Sequence, residues 1–259
     1  MARPVPHAST PELIREHYRT LFRAWGRQHW WPAETAFEVI VGAYLTQNTA
    51  WTNVELALAN LRKAGKLNVA GVRSASLEEL EQLIRPAGYF RQKARSLKTF
   101  VEFLDAQYGG SLERMFQQPT PQLRELLLAL KGVGPETADS ILLYAGNHPV
   151  FVVDGYTRRI VERHGLSPAG AKYEEIRALF EGALGQAEFA AECSLVQATP
   201  HGPIPKGSCH DPSNMSASQR SLLTQIYNEM HGLIVGIGKN YCAKSQPRCQ
   251  ECPLKEFLP

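Results

Sequence analysis

The chain has 259 residues, 44% of them hydrophobic, and 28 basic against 25 acidic side chains, a balance that excludes wholesale disorder and leaves room for one large domain or two lobes. No apolar run approaches the roughly 20 residues that span a bilayer, and the opening stretch MARPVPHASTPE lacks the apolar centre of a secretory signal, so a cytoplasmic protein with no membrane contact is expected. The net charge of +3 and pI of about 8.6 permit a nucleic-acid partner without demanding one.

Apolar residues recur at helical spacing along most of the chain, as at Leu123, Leu126, Leu127 and Leu130, while alternating strand patterns are nearly absent. An all-α fold is therefore expected. In chain order, the first informative segment is HWWPAETAFEVIVGAYLTQNTAW at 29–51, where a tryptophan pair precedes a proline and a polar turn ends an apolar helix. Ser76 ahead of LEELEQLI and Pro121 ahead of LRELLLAL mark helix starts, and Gly88 marks a stop before the basic helix of GYFRQKARSL.

At 130–139 the chain reads LKGVGPETAD, an apolar helix end, a Gly-x-Gly turn and a second helix starting at Pro135. Glycine tolerates the dihedrals of such a turn and lets the backbone approach closely, so N–H groups around Gly132, Val133, Gly134 and Thr137 can converge on one phosphate. Contacts of that kind position a protein on DNA without identifying bases. The run PVFVVD has no partner strands and is expected to lead into a helix near Gly155, with Asp154 as its cap, as a group facing a site, or as both. Residues 198–221, rich in Pro, Gly, Ser, His and Asn, read as a long exposed loop.

The hairpin and Asp154 resemble those of the helix-hairpin-helix DNA glycosylases of the endonuclease III superfamily. The sequence is most similar to the 3-methyladenine DNA glycosylase branch, through Trp30-Trp31-Pro32, LTQNT at 45–49, RPAGYFRQKA at 85–94, KGVGPETADSILLYA at 131–145 and HGLIVGIGK at 231–239. The likeness runs from about residue 12 to 184 and again from about 226. It implies a two-lobed all-helical fold: a six-helix barrel lobe at 36–148 carrying the hairpin, and a second lobe built from 1–35 and 149–259 with a terminal cysteine loop.

The same resemblance implies roles. Gln47 is the wedge that fills the space left by a flipped nucleotide, offsetting part of an unstacking cost of a few kcal/mol. Trp30 and Trp31 either line the base pocket or belong to the core, with Tyr89 and Phe90 as further pocket candidates; aromatic rings attract a cationic N3-alkylated adenine by roughly 0.5–2 kcal/mol. Lys239 either projects into that pocket or stands exposed at a helix end. Asp154 stabilises the developing sugar cation. Where bifunctional members carry a lysine nucleophile, this chain has Glu136, and a carboxylate forms no Schiff base.

Cys242, Cys249 and Cys252 occur as C-x6-C-x2-C, similar to the first three ligands of the four-cysteine loop that holds a [4Fe–4S] cluster in many of these enzymes. The fourth position falls on Leu258, which makes Cys209 the candidate fourth ligand; a zinc site or an empty loop are the alternatives. Lys244, Arg248 and Lys255 nearby suit contact with DNA phosphate. The resulting expectation is a monomeric, monofunctional glycosylase acting on double-stranded DNA containing alkylated purines. A bifunctional glycosylase and lyase for oxidised pyrimidines, or a non-catalytic damage-binding module, are the competing readings.

Overall fold

The computed structural model describes residues 9–195 and 209–259. Its helices are α1 (Thr10–Trp25), α2 (Ala36–Leu45), α3 (Trp51–Lys63), α4 (Val69–Ser74), α5 (Leu77–Leu83), α6 (Phe90–Tyr108), α7 (Leu112–Phe116), α8 (Thr120–Leu128), α9 (Pro135–Ser140), α10 (Gly155–Arg163), α11 (Tyr173–Leu184), α12 (Ala187–Leu195) and α13 (Leu222–Asn240). No strand is present among the described residues, in agreement with the helical periodicity. None of these helices is long and apolar enough to cross a membrane. The chain divides into two compact units, one of residues 33–148 and one of 1–32 with 149–259.

In the 33–148 unit, α2 is buried from Phe37 to Leu45 and packs against α3, α6 and α9. A helix that is apolar on every side can only run through a core. Its start is set by Thr35, whose hydroxyl accepts the Glu38 N–H, and the buried Glu38 carboxylate is itself paired with Arg62. Ser76 caps α5 by accepting from the Glu79 N–H at 3.1 Å, as expected of that serine. Helix α6 lays Ala94, Leu97, Phe100, Val101 and Leu104 inward, one amphipathic face at helical spacing.

Helices α8 and α9 are stapled side by side. Asp139 is wholly buried and accepts two bonds from Arg124, at 2.7 and 3.1 Å. Desolvating both charges is costly, and the bidentate geometry is what repays it. After α9 the chain makes one buried π turn, Ile141–Ala145.

In the other unit, Val150 to Val153 form a buried non-helical segment that leads into α10 without joining a sheet. Its backbone is satisfied by side chains: the Phe151 N–H donates to Glu181 and the Val153 N–H to the Tyr173 hydroxyl. Helix α13 is buried almost all round from Ile226 to Gly238 and packs on α1, α10, α11 and α12. Its crossing with α10 is very close, since a Cβ on Gly238 would stand 2.1 Å from the Tyr156 ring. The expected exposed loop at 198–221 lies outside the described residues through 208. Its described remainder is only partly exposed: Ser216 is buried, and His210 donates its N–H to Gln28 O, because the adjacent Trp30 ring offers apolar surface to cover.

Replacing Asp139 by Ala strips Arg124 of its carboxylate in a buried setting, and urea denaturation is expected to show a loss of about 3–5 kcal/mol. A loss below about 1 kcal/mol would mean the pair is not a structural staple.

Candidate functional site

The hairpin belongs to the 33–148 unit. Gly132 adopts φ +89°, a backbone region closed to most side chains, and a Cβ there would meet the Ser96 hydroxyl at 2.7 Å. Val133 is buried and spends its N–H on Leu130 O, whereas Gly132 and Gly134 are exposed and their N–H groups have no hydrogen-bond partner among the described residues. Glu136 is exposed in the first turn of α9. The turn thus presents two open amides, as anion binding requires.

Gln47 sits in the turn after α2, with its side chain folded onto this hairpin. Its Nε2 donates to Gly132 O and to the Thr137 hydroxyl, both at 2.9 Å. Those two bonds align the turn with the hairpin, and insertion of Gln47 into a duplex would exchange them. Lys93, which sequence reasoning passed over as one of several basic residues, holds the same turn from beneath. It is almost fully buried, and its ammonium donates to Leu45 O at 2.9 Å, Ala87 O at 2.8 Å and the Thr49 hydroxyl at 2.7 Å. Burial lowers it to about 8. One amine thereby joins the Gln47 turn to the turn that carries Tyr89.

Tyr89 stands out from that second turn with φ +46° and 69% exposure. Phe90 beside it lies between two guanidinium groups, Arg85 at 5.9 Å and Arg91 at 5.7 Å from the ring centre. The pair forms an aromatic and basic surface patch.

The second set of residues belongs to the other unit. Asp154 is the N-cap of α10: its Oδ1 accepts from the Thr157 N–H at 2.7 Å and from the Thr157 hydroxyl at 2.9 Å. Its other oxygen, Oδ2, lies 3.6 Å from His231 Nε2 on α13. Burial lowers the pKa of His231, and the nearby Asp154 opposes that shift only in part. A signal for His231 was present in the HGLIVGIGK segment, but nothing in helical spacing alone showed that it would meet Asp154.

Trp30 and Trp31 are buried, 7% and 6% exposed. The Trp30 ring lies 5.3 Å from His210 and 6.4 Å from His231, and its Nε1 is buried without a hydrogen-bond partner among the described residues. Lys239 is largely exposed, yet its ammonium stands 5.5 Å from the Trp30 ring centre. The tryptophan segment is held by backbone bonds: the Gln28 N–H donates to the Glu229 carboxylate at 2.8 Å, and Trp31 O accepts from the Ser213 hydroxyl. Gly232 allows this approach, since a Cβ there would meet Gln28 and Trp30 Cβ atoms at 3.0 Å.

Cys242 and Cys252 are buried, Cys249 is half-buried, and all three line one hollow. Burial first, with Cys242 and Cys249 alongside, pushes the Cys252 thiol up to about 11. The Arg163 guanidinium donates to Cys242 Sγ at 3.1 Å. Among the described residues no three His, Cys, Asp or Glu side chains converge on one point. In a four-iron cluster each thiolate binds a different iron, so three thiols spread around one hollow fit that group. Cys209 does not line this hollow; its thiol donates to Arg27 O at 3.3 Å, beside Glu229.

A family model described as HhH-GPD superfamily base excision DNA repair protein matches residues 41–186, more than half of the chain. The chain belongs to this superfamily. Among its HhH-GPD relatives, a putative DNA repair glycosylase of Methanocaldococcus jannaschii is 39% identical, with 95% of this chain and 96% of that protein aligned. Endonuclease III of Thermotoga maritima is 25% identical over 94% of this chain and 91% of its own length. The solved structure of H. pylori 3-methyladenine DNA glycosylase bound to 1,N6-ethenoadenine superposes with a TM-score of 0.70 at 28% identity, covering 90% of this chain and 98% of that one. An endonuclease III–DNA complex has the same fold, with a TM-score of 0.69 at 20% identity over 97% of this chain and 96% of that one.

Glu229, which anchors the tryptophan segment, yields a pH prediction. Burial raises its pKa to about 6 from the ordinary 4.5, outweighing the Gln28 N–H bond, so the folded chain holds the proton more tightly than the unfolded one. That stabilisation is complete below pH 4.5 and is lost as the pH rises through about 6. Relative to Glu229→Gln, the wild type is expected to gain about 2 kcal/mol between pH 7 and pH 4.5 in denaturation experiments. A difference independent of pH would show that Glu229 does not titrate in this window.

Proposed function

We propose that this DNA glycosylase of base excision repair is monofunctional and excises alkylated purines, 3-methyladenine above all, from duplex DNA. The observation that carries the reaction type is Glu136. It occupies the position where the resemblance places the lysine of bifunctional members, and it offers a carboxylate in the first turn of α9. Without an amine there, water is the nucleophile. Asp154 supplies a preorganised anion for the oxocarbenium-like sugar, one oxygen fixed by the α10 cap and the other beside His231. The base class is supported by the Trp30-Trp31-Pro32 segment and by the similarity to a 3-methyladenine glycosylase at 28% identity.

In this reading the open amides of Gly132 and Gly134 take a DNA phosphate, and Gln47 leaves its hairpin bonds to occupy the space of the flipped nucleotide. Trp30 and Trp31 supply stacking surface for the extruded base, with the Lys239 ammonium over the Trp30 ring. Tyr89 and the Arg85–Phe90–Arg91 patch suit contact with the strand. Cys242, Cys249 and Cys252 would hold a [4Fe–4S] cluster, which when bound would tie the C-terminal loop to the end of α13.

With methylated duplex DNA, chromatography is expected to detect free 3-methyladenine, while borohydride traps no covalent adduct and abasic DNA stays intact. Efficient trapping would overturn the monofunctional assignment. Asp154→Asn preserves shape and removes the anion, so single-turnover excision should fall by roughly a hundredfold with DNA affinity little changed. Wild-type rates in that variant would reduce Asp154 to a helix cap.

A further inference from the structure

The three-cysteine hollow is one ligand short of a complete cluster site, and the residue at the fourth spacing, Leu258, lines it with a side chain that cannot bind iron. Neither remaining cysteine stands there. Cys209 faces Arg27 O and Glu229, and Cys193 lines a separate hollow with Tyr18 and Arg19. The hollow does contain one imidazole, His164, the residue that ends α10. Its other polar neighbours are the cations Arg163 and Lys255, which offer iron no lone pair, and Tyr241, which stacks on Trp25.

The geometry points to His164 as the fourth ligand of the cluster, a proposal that rests on the reading that a cluster occupies this loop. His164 Nδ1 lies 3.3 Å from Phe257 O, and a carbonyl oxygen can only accept, so Nδ1 carries the proton. The lone pair is then on Nε2, which has no hydrogen-bond partner among the described residues. An imidazole whose second nitrogen donates to a backbone carbonyl is the usual form of a metal-bound histidine. That carbonyl belongs to the residue before Leu258, so the segment that lacks the fourth cysteine instead orients the histidine. The His17 ring, edge-on to His164 at 4.9 Å, restrains the plane from the other side. Histidine ligation of iron in sulfur clusters is chemically ordinary and raises the reduction potential relative to an all-thiolate site.

The test uses the full-length protein purified anaerobically. In wild type labelled with nitrogen-15 histidine, pulsed electron paramagnetic resonance of the reduced cluster is expected to show strong coupling to one imidazole nitrogen. Cys209→Ser should retain the wild-type iron and sulfide content, His164→Ala should lose about one iron in four, and His164→Cys should restore it with a lower reduction potential. An iron-replete wild type without histidine coupling overturns the proposal, as does iron loss on Cys209→Ser with none on His164→Ala. An iron-free wild type overturns the cluster reading and His164 with it; base release, measured in parallel, reports separately on the glycosylase assignment.

Discussion

One carboxylate, that of Asp154, both starts α10 and meets α13, and the arrangement around it follows from that constraint. Asp154 starts α10 by accepting the Thr157 N–H and hydroxyl on one oxygen, an interaction of about 1 kcal/mol in helix stability. The same bonds immobilise the carboxyl plane, so the second oxygen points in a fixed direction toward His231. In the proposed reaction an anion that stabilises a transient cation must not reorganise when the charge appears, and a cap holds it in place. The close crossing of α10 and α13, possible only because Gly238 leaves room for the Tyr156 ring, keeps His231 at that oxygen.

The 33–148 unit solves a different problem, that of aiming a turn. Gln47 and Tyr89 sit on separate loops that carry little apolar surface of their own to pack. A single buried ammonium, Lys93, ties Leu45 O, Thr49 and Ala87 O together, and Gln47 itself is pinned to Gly132 and Thr137. The hairpin below is rigid because Arg124 and Asp139 lock α8 to α9. Polar groups thus do the positioning where hydrophobic packing has little area to work with.

Around the tryptophan segment of the other unit, burial decides the chemistry. Glu229 holds the Gln28 N–H, the 209–216 stretch closes over Trp30 through His210, and Lys239 places a cation at the ring face. The cysteine hollow lies at the end of α13, where Cys242 follows the last helical turn and Arg159 and Arg163 of α10 bond to its carbonyl and sulfur. Helix α13 therefore carries residues of the Trp30 cluster along its length and delivers the first cysteine at its end.

Helical periodicity and local turn chemistry determined much of this protein by themselves. The absence of strands, the caps at Ser76 and Asp154, the helix start at Pro135 and the lead-in to α10 at Val150 to Val153 all depend on residues within a few positions of one another. The family was legible for the same reason, because its motifs are short and contiguous. What only the tertiary structure decided are meetings between residues far apart in the chain: Lys93 with Leu45, His231 with Asp154, Glu229 with Gln28, and His164 with the terminal cysteines. Cys209 is the nearest further thiol in sequence to the terminal cysteine set. The fold carries it instead to Arg27, since spacing in sequence sets a ligand's direction only within a turn or two of helix, and beyond that packing decides which side chain arrives.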